Sequence, residues 1–287
     1  MLIDTHAHLN FNAFKGDFAK IIENCLKNDL WVVNVGTKYE TSKKAVEIAE
    51  SHENGVFAAI GLHPVHLETG LVKIKNDDEE IEIKTKEEEF DYEKYKALGK
   101  SKKVVAIGEV GLDYYYKPKS KIKLELFKEK QKKVLLEQID LAIDLNLPVI
   151  FHCRVAHNDL IKILENAKKN NKPVRGVIHS FTGNLEQAQK FIKLGFYLGF
   201  NGLIFKLSWL DEVIQKTPLE NIVFETDCPY LSPPLPDEVL ANPRYIQGRN
   251  EPAFIKYTIE KVAQLKNLDQ EEVIKISTEN AKKLFKI

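Results

Sequence analysis

Two histidines separated by one residue, His6 and His8, end an apolar run near the start of the chain, in the segment IDTHAHL. Side chains two residues apart on a β-strand project from the same face, so both imidazoles would point together. Later apolar runs end in metal-ligand residue types as well, namely Glu109 in GEVGLD, His152 in FHCR, His179 in IHSF and Asp227 in ETDCP. Imidazole nitrogens and carboxylate oxygens suit Zn²⁺, Mn²⁺ or Mg²⁺ in a site open to substrate.

This set of four histidines and two carboxylates exceeds what one tetrahedral ion needs. It suits two divalent ions that share a carboxylate. We expect Glu109 to end the fourth strand and to be the shared ligand. Two ions about 3.5 to 4 Å apart activate a water and stabilise the leaving oxygen of a displacement. Asp227 is then the residue expected to accept the proton of that water.

Two further residues are expected to contact substrate. His63 leaves the third strand in GLHPVHL, where Pro64 restricts the turn, and it is a better candidate than His66. Together with Asp227 and Glu109 it completes the candidate catalytic set. Arg154 directly follows the fifth strand's FHC, and its planar guanidinium could bind a phosphate oxygen, or it could form an ion pair that holds the loop.

The remaining histidines and the cysteines favour structural roles. His52 is expected at a solvated helix end, and His157 is expected to open or cap the helix after the fifth strand. Cys153 and Cys228 directly follow candidate ligands, so strand alternation directs their side chains away from the site. With Cys25 they make an odd number without a CxxC spacing, which argues against a disulfide framework and suits a reducing compartment.

Eight short β-branched runs alternate with stretches of helical periodicity along the whole chain. The runs are LIDTHAHL, WVVNVG, VFAAIGLHP, VVAIGEVGLD, PVIFHC, VRGVIHSF, FYLGFNG and IVFETD. Eight parallel strands close naturally into a (β/α)₈ TIM-type barrel, and the carboxyl ends of its strands open onto the face that carries active sites. Residues 251 to 287 add two extra C-terminal helices.

One segment interrupts this rhythm. Leu71 to Lys100 is dense in charge and lies between the third and fourth strands. We interpret residues 1–287 as a single barrel domain with a solvated insertion at about 71–100, containing a short hairpin at IEIKTK and the helix before strand four. The alternative, a lid that gates substrate, is less favoured because its acidic side chains would repel a phosphate ligand.

Composition excludes some functions. Lys+Arg and Asp+Glu both total 42, so the chain has no global cationic field for long nucleic acid, and a polyanion would need a local patch or bound cations. The start of the chain shows no basic segment followed by an apolar block, so we expect no signal peptide, and no apolar run is long enough to span a membrane. A cytoplasmic location, or also a nuclear one in a eukaryote, is expected.

With these residues placed, the chain resembles the TatD family of metal-dependent deoxyribonucleases, within the wider amidohydrolase-like group of metal barrels. The matching stretches are IDTHAHL, AIGLHP, AIGEVGLDYY, PVIFHCR, HSFTGN, ETDCPYLSP and GRNEPAFI, spread from residue 3 to 255. The acidic insertion looks longer than the family's usual loop, which bears on any substrate preference that depends on it.

The resemblance implies a TIM-type barrel that holds two divalent ions and hydrolyses phosphodiester bonds of DNA, often from the 3′ end and usually on single strands. It assigns the ligands to His6, His8, Glu109, His152, His179 and Asp227, and it places His63 and Arg154 near substrate. DNA is therefore the expected partner, with no membrane and no obligate protein partner expected. Two other functions remain open: a metal-dependent deacylase or amide hydrolase, for example on misacylated tRNA, and a non-catalytic metal-dependent nucleic-acid-binding protein.

Overall fold

The computed structural model describes residues 1–69, 73–76, 79–84, 86–242, 246 and 248–287. Its strands, in chain order, are β1 (Leu2–Ala7), β2 (Leu30–Val35), β3 (Val56–Ile60), β4 (Lys73–Asn76), β5 (Glu79–Lys84), β6 (Val104–Asp113), β7 (Val149–Arg154), β8 (Gly176–Ile178), β9 (Tyr197–Phe200) and β10 (Ile222–Phe224). All except β4 and β5 pair in parallel in the order β1-β2-β3-β6-β7-β8-β9-β10. This nearly closed barrel confirms the predicted (β/α)₈ fold.

The helices surround the barrel and follow most of its strands. They are α1 (Phe18–Lys27), α2 (Tyr39–Glu50), α3 (Tyr92–Leu98), α4 (Lys121–Asp144), α5 (His157–Lys169), α6 (Leu185–Leu194), α7 (Trp209–Lys216), α8 (Asp237–Leu240), α9 (Ile255–Lys266) and α10 (Gln270–Phe285). The last two are the extra C-terminal helices that the sequence predicts. In the part of the chain that the structure describes, no helix has both the length and the apolar character needed to cross a membrane.

The hydrophobic core has two parts. The larger part fills the layer between the strands and the outer helices, and the smaller part fills the inside of the barrel at the end where the strands begin. Inside the barrel, side chains such as Ile150, Val177 and Val223 meet Leu284 and Phe285 of α10, so this helix covers that end. Apolar packing therefore occupies one end of the barrel and leaves the other end for polar groups.

On β7 and β8, inward-facing positions change from apolar to polar along the strand. On β7 the residue two after Ile150 is His152, and past the end of β8 the residue two after Val177 is His179. Because alternate residues of a strand face the same side, the row that packs the barrel continues into the row that carries the candidate ligands.

The barrel closes between β1 and the segment after β10. The backbone N–H of Asp227 donates to His6 O at 2.9 Å, and Thr226 donates its N–H and hydroxyl to the two carboxylate oxygens of Asp4 at 3.0 and 2.6 Å. Asp4 is fully buried, and burial raises the pKa of its carboxyl to about 7 although these hydrogen bonds oppose the rise. The closure therefore depends on a buried carboxylate whose donors come mainly from one residue.

The charged insertion contains a hairpin, but its first strand lies before the IEIKTK segment where the sequence predicts the hairpin. The strand β4 pairs antiparallel with β5, with Ile74 opposite Ile83, so the predicted IEIKTK segment supplies most of the second strand of the hairpin. Residues 70–72, 77–78 and 85 of this region lie outside the described residues. The helix α3 then leads into β6, as the sequence predicts.

Replacing Thr226 by Val should destabilise the protein because Asp4 loses its shortest hydrogen bond. We expect the free energy of unfolding to fall by roughly 2 kcal/mol, the usual range for a bond to a charged group. Urea denaturation of metal-free protein at about pH 8, above the Asp4 pKa of about 7, measures it.

The matched control is Thr5→Val, because the Thr5 hydroxyl donates to the neutral carbonyl of Phe224 at 3.0 Å in the same closure. The free energy of unfolding should fall by less in this variant, by about 1 kcal/mol. Equal losses for the two variants would show that the charge of Asp4 does not strengthen the closure.

Candidate metal centre

The centre of the barrel mouth is the carboxylate of Glu109. The sequence predicts that Glu109 ends the fourth barrel strand, but β6 continues to Asp113, and Glu109 lies inside the strand. The pairing register between β6 and β7 shifts between Ile107 and Val110, so Glu109 lies at a bulge. Bulges redirect a side chain, and here the carboxylate, in a residue only 5% exposed, is directed among histidines.

Five imidazoles approach the two oxygens of this carboxylate. Oε1 lies 2.7 Å from His152 Nδ1, 3.3 Å from His63 Nε2 and 3.7 Å from His179 Nε2, and Oε2 lies 3.5 Å from His6 Nε2 and 3.8 Å from His8 Nε2. Five of the six residues that the sequence predicts as ligands are thus assembled at the mouth, with His63 beside them.

The second carboxylate, that of Asp227, lies against the histidines of β1. Its Oδ1 is 3.3 Å from His8 Nε2 and 3.7 Å from His6 Nε2, and its Oδ2 is 3.9 Å from His179 Nε2. Asp227 adopts a positive φ of 56°, an uncommon backbone conformation that the surrounding structure must impose. Its backbone bond to His6 O supplies one such constraint.

The orientation of the histidines fits a divalent cation. The Nε2 atoms of His6 and His8 lie 3.1 Å apart. Both are potential ligand atoms, so the pair could bind one cation. His8 Nδ1 lies 2.9 Å from the carbonyl oxygen of Val35, which can only accept, so the hydrogen is on Nδ1 and Nε2 presents a lone pair. Two described groups could each hold an ion and share Glu109: His6 with His8, and His63 with His152.

Two carboxylates that the sequence analysis missed hold the other histidines. Asp113 Oδ2 lies 3.1 Å from His152 Nε2, and Glu225 Oε1 lies 2.9 Å from His179 Nδ1. A carboxylate on the far nitrogen of a metal-binding imidazole fixes its tautomer and orientation. Strand alternation could have identified Glu225, because it lies two residues before Asp227 and faces the same side.

Glu225 is fully buried and is itself held in position. Its Oε1 accepts a hydrogen bond from the backbone N–H of Ser180 at 2.6 Å. A Cβ at Gly199 would lie 2.5 Å from Oε2, so the absence of a side chain there makes the room for this carboxylate. Glu225 also forms, with His6 and His179, a third group of described residues that could hold an ion.

The carboxylates favour positive charge in this site. Burial alone would lower the pKa of each histidine, but Asp113 and Glu109 raise that of His152 to about 9, and Glu225 and Asp227 raise that of His179 to about 10. The pKa of His6 instead falls to about 4, because burial and the neighbouring His179 both disfavour its charged form. The cluster can therefore be neutralised by protons on some imidazoles or by divalent cations.

The other predicted residues take different positions. His63 Nδ1 accepts a hydrogen bond from the N–H of Val65, which directs Nε2 towards Glu109. His66 is half-buried and belongs to none of the described groups that could hold an ion. His157 is the first residue of α5 and packs edge-on against Phe181, as expected of a structural residue.

Arg154 does not form the ion pair that was one of its two expected roles, and its side chain packs on aromatic rings instead. Its guanidinium lies 3.7 Å from the ring centroid of Tyr115 and 5.2 Å from that of Tyr116. Among the described residues no carboxylate forms an ion pair with it. His52 lies at the end of α2, where its Nδ1 is 2.9 Å from the carbonyl oxygen of Ile48. It belongs to the helix end and not to the cluster at the mouth.

Comparisons with known proteins find relatives along nearly the whole chain. The model of the family TatD related DNase matches residues 3–286. The uncharacterized metal-dependent hydrolase YabD of Bacillus subtilis is 37% identical over all of this chain and all of its own length. The human deoxyribonuclease TATDN3 is 32% identical over 99% of this chain and 94% of its own.

Solved structures show the same fold. The crystal structure of YJJV, a TatD homolog from Escherichia coli, superposes with a TM-score of 0.77 at 28% identity, covering 100% of this chain and 98% of that chain. A TatD family hydrolase from Entamoeba histolytica gives a TM-score of 0.79 at 25% identity over 99% of this chain and 97% of that chain.

Replacing both His6 and His8 by alanine should lower the metal content of the purified protein, because the two Nε2 atoms converge on one position. Elemental analysis of protein dialysed against trace metal measures it. His52→Ala, at the far helix end, is the control and should keep the parent's content. A double variant with undiminished metal content would contradict the assignment of this pair.

Replacing Glu225 by Gln should weaken metal binding without removing a direct ligand from the Glu109 cluster. Loss of an outer carboxylate of this kind lowers metal affinity by about 10- to 100-fold. Titration against a competing chelator measures the affinity, and Glu220→Gln, exposed at the opposite end of β10, is the control. Equal affinities for the two variants would show that Glu225 does not orient His179.

Proposed function

This chain belongs to the TatD-related DNase family, and on that premise we propose that it is a metal-dependent deoxyribonuclease that hydrolyses phosphodiester bonds of DNA. The observation that carries the proposal is the convergence of five imidazoles on the Glu109 carboxylate, with the Asp227 carboxylate against three of the same imidazoles. Membership makes the chain a relative of metal-dependent hydrolases, and its human relative is named a deoxyribonuclease.

Two divalent ions are the proposed cofactors. The residues that would hold them are the six at the mouth that the sequence predicts as ligands: His6, His8, Glu109, His152, His179 and Asp227. Bound ions of this kind lower the pKa of a water and offset the negative charge that develops on phosphate and on the departing oxygen. Zn²⁺, Mg²⁺ and Mn²⁺ all suit a set of nitrogen and carboxylate donors.

The side chains then have separate tasks. Asp227 is the proposed base, because its carboxylate is 15% exposed at the mouth while that of Glu109 is more deeply enclosed. Burial opposes ionisation of Asp227, but the nearby imidazoles lower the pKa of its carboxyl and so keep it ionised. His63 and Arg154 would contact the phosphate that undergoes attack. Arg154 remains available for this role because its charge faces an aromatic ring and no described carboxylate.

A single strand is the proposed form of the DNA. The Glu109 carboxylate is buried and that of Asp227 is only 15% exposed, so a phosphodiester must enter the mouth to reach them. A flexible single strand or a frayed end can do so, whereas a duplex would need to be deformed at a cost in free energy. The proposed 3′ to 5′ direction follows from the family resemblance.

The alternative of an amide hydrolase is weakened at strand four. Related barrels of that kind share a carbamylated lysine there, whereas β6 carries Glu109 at its bulge. The lysines nearest in sequence, Lys102 and Lys103, precede β6, and Lys103 donates to the carbonyl of Glu53 at 2.8 Å, at the other end of the barrel.

Replacing Asp227 by Asn should keep the fold and lower turnover of 3′-labelled single-stranded DNA. Loss of a positioned base costs roughly 10²- to 10⁴-fold in rate. The assay compares initial rates with added Mg²⁺, Mn²⁺ or Zn²⁺ and with chelator, which should abolish cleavage by the parent.

The matched control is Asp237→Asn, an exposed carboxylate in α8. It should cleave at the parent's rate. Undiminished cleavage by the Asp227 variant would contradict the assigned base, and absence of any metal-dependent shortening by the parent would contradict the deoxyribonuclease proposal itself.

A further inference from the structure

The segment between β6 and the first turn of α4 has an unusual composition. Residues 114–123 read YYYKPKSKIK, with three tyrosines, four lysines and no acidic residue, in a chain where Lys+Arg and Asp+Glu are both 42. We call it the Tyr-Lys segment. It follows the strand that carries Glu109 and lies at the carboxyl end of that strand, on the face of the candidate metal centre.

Direct contacts join the Tyr-Lys segment to the metal centre. Asp113, whose Oδ2 faces His152, uses Oδ1 to accept hydrogen bonds from the backbone N–H groups of Tyr115 and Tyr116, at 2.8 and 3.0 Å. The Tyr114 hydroxyl donates to Asp159 at 2.9 Å and anchors the start of the segment on α5. One carboxylate therefore sets the positions of a candidate ligand and of the neighbouring tyrosines.

The Tyr115 ring is a stacking surface beside the mouth. The residue is 55% exposed, which is uncommon for a large aromatic side chain, and the guanidinium of Arg154 covers one side at 3.7 Å from the ring centroid. Arg154 lies two residues after His152 on β7 and so faces the same way. The Tyr116 ring meets that of Tyr115 at a right angle, with 5.1 Å between the centroids, and the part of Tyr115 that remains exposed can accept a nucleobase by stacking.

The lysines supply charge without partners. Lys117, Lys119, Lys121 and Lys123 are all exposed, and within the described residues none of them forms an ion pair. The first acidic side chain after them, Glu125, pairs with Lys128 at 2.8 Å. Unpaired cations beside an aromatic surface are typical of grooves that bind single-stranded nucleic acid.

We propose that the Tyr-Lys segment binds the nucleotides of a single DNA strand next to the phosphate that is cleaved. One base stacks on Tyr115, and neighbouring phosphates contact Lys117 and Lys119. Bases inside a duplex are covered on both faces by their neighbours and cannot stack on an exposed ring without being unstacked, so the segment favours unpaired strands. This inference rests on the proposed function and deepens it, because it identifies the surface that distinguishes single strands from duplexes.

Binding tests the inference separately from cleavage. The ligand is a fluorescent oligodeoxythymidylate with phosphorothioate linkages, which resist hydrolysis, and its affinity for metal-loaded protein is measured by anisotropy at several salt concentrations. We expect Tyr115→Ala to weaken binding about tenfold, the lower part of the range for one stacked base, and Tyr115→Phe to restore it. Lys117→Ser/Lys119→Ser should reduce the slope of log affinity against log salt by about 1.4, because each single-strand phosphate contact contributes about 0.7.

The charge-matched control is Lys102→Ser/Lys169→Ser, two exposed lysines at the end of the barrel where the strands begin. It should keep the parent's slope. Parent-like affinity in Tyr115→Ala together with a parent-like slope in the segment double variant would overturn the inference. Cleavage of the unmodified oligonucleotide is scored in parallel: a parent that binds through this segment but never cuts would contradict the proposed function and support the inference.

Discussion

A carboxylate removed from water is costly unless nearby groups compensate its charge, and this constraint organises the mouth of the barrel. Glu109 lies at a bulge in β6, in a position where it is almost fully buried. The compensating groups come from β1, β7 and the chain just beyond β3 and β8, so no single segment could supply them. The barrel is needed to bring them together, and the same arrangement suits divalent cations because imidazole nitrogens and carboxylate oxygens face one another at short distances.

The far ring nitrogens of three of the histidines also have defined partners. Val35 contributes a carbonyl, whereas Asp113 and Glu225 contribute carboxylates. Each carboxylate also accepts backbone hydrogen bonds from a loop at the mouth, Asp113 from the chain entering the Tyr-Lys segment and Glu225 from Ser180. The position of a ligand and the position of its neighbouring loop are therefore coupled through one side chain, which restricts how far either can change without the other.

The charge distribution explains how a chain without net charge could bind a polyanion. Its acidic and basic residues balance, and many of its lysines pair with carboxylates on helix surfaces. The lysines of the Tyr-Lys segment form no ion pair among the described residues, as is true of other surface lysines such as Lys102 and Lys169, but they lie close together in sequence and Arg154 beside them contacts tyrosines. In the proposed binding mode, attraction would be concentrated on the side of the mouth where these lysines are combined with exposed aromatic rings.

The sequence by itself determined the barrel, its C-terminal helices and the six residues assembled at its mouth, because strand and helix periodicities and residue types at strand ends are local properties of the chain. Its motifs also indicated the family, which the comparisons confirm. Only the tertiary structure decided that β6 runs past Glu109 to Asp113, that Asp113 and Glu225 hold histidines, and that Arg154 stacks on Tyr115. These features depend on register and on contacts between residues far apart in sequence, and no local periodicity encodes which strand lies beside which or where a pairing shifts by one residue.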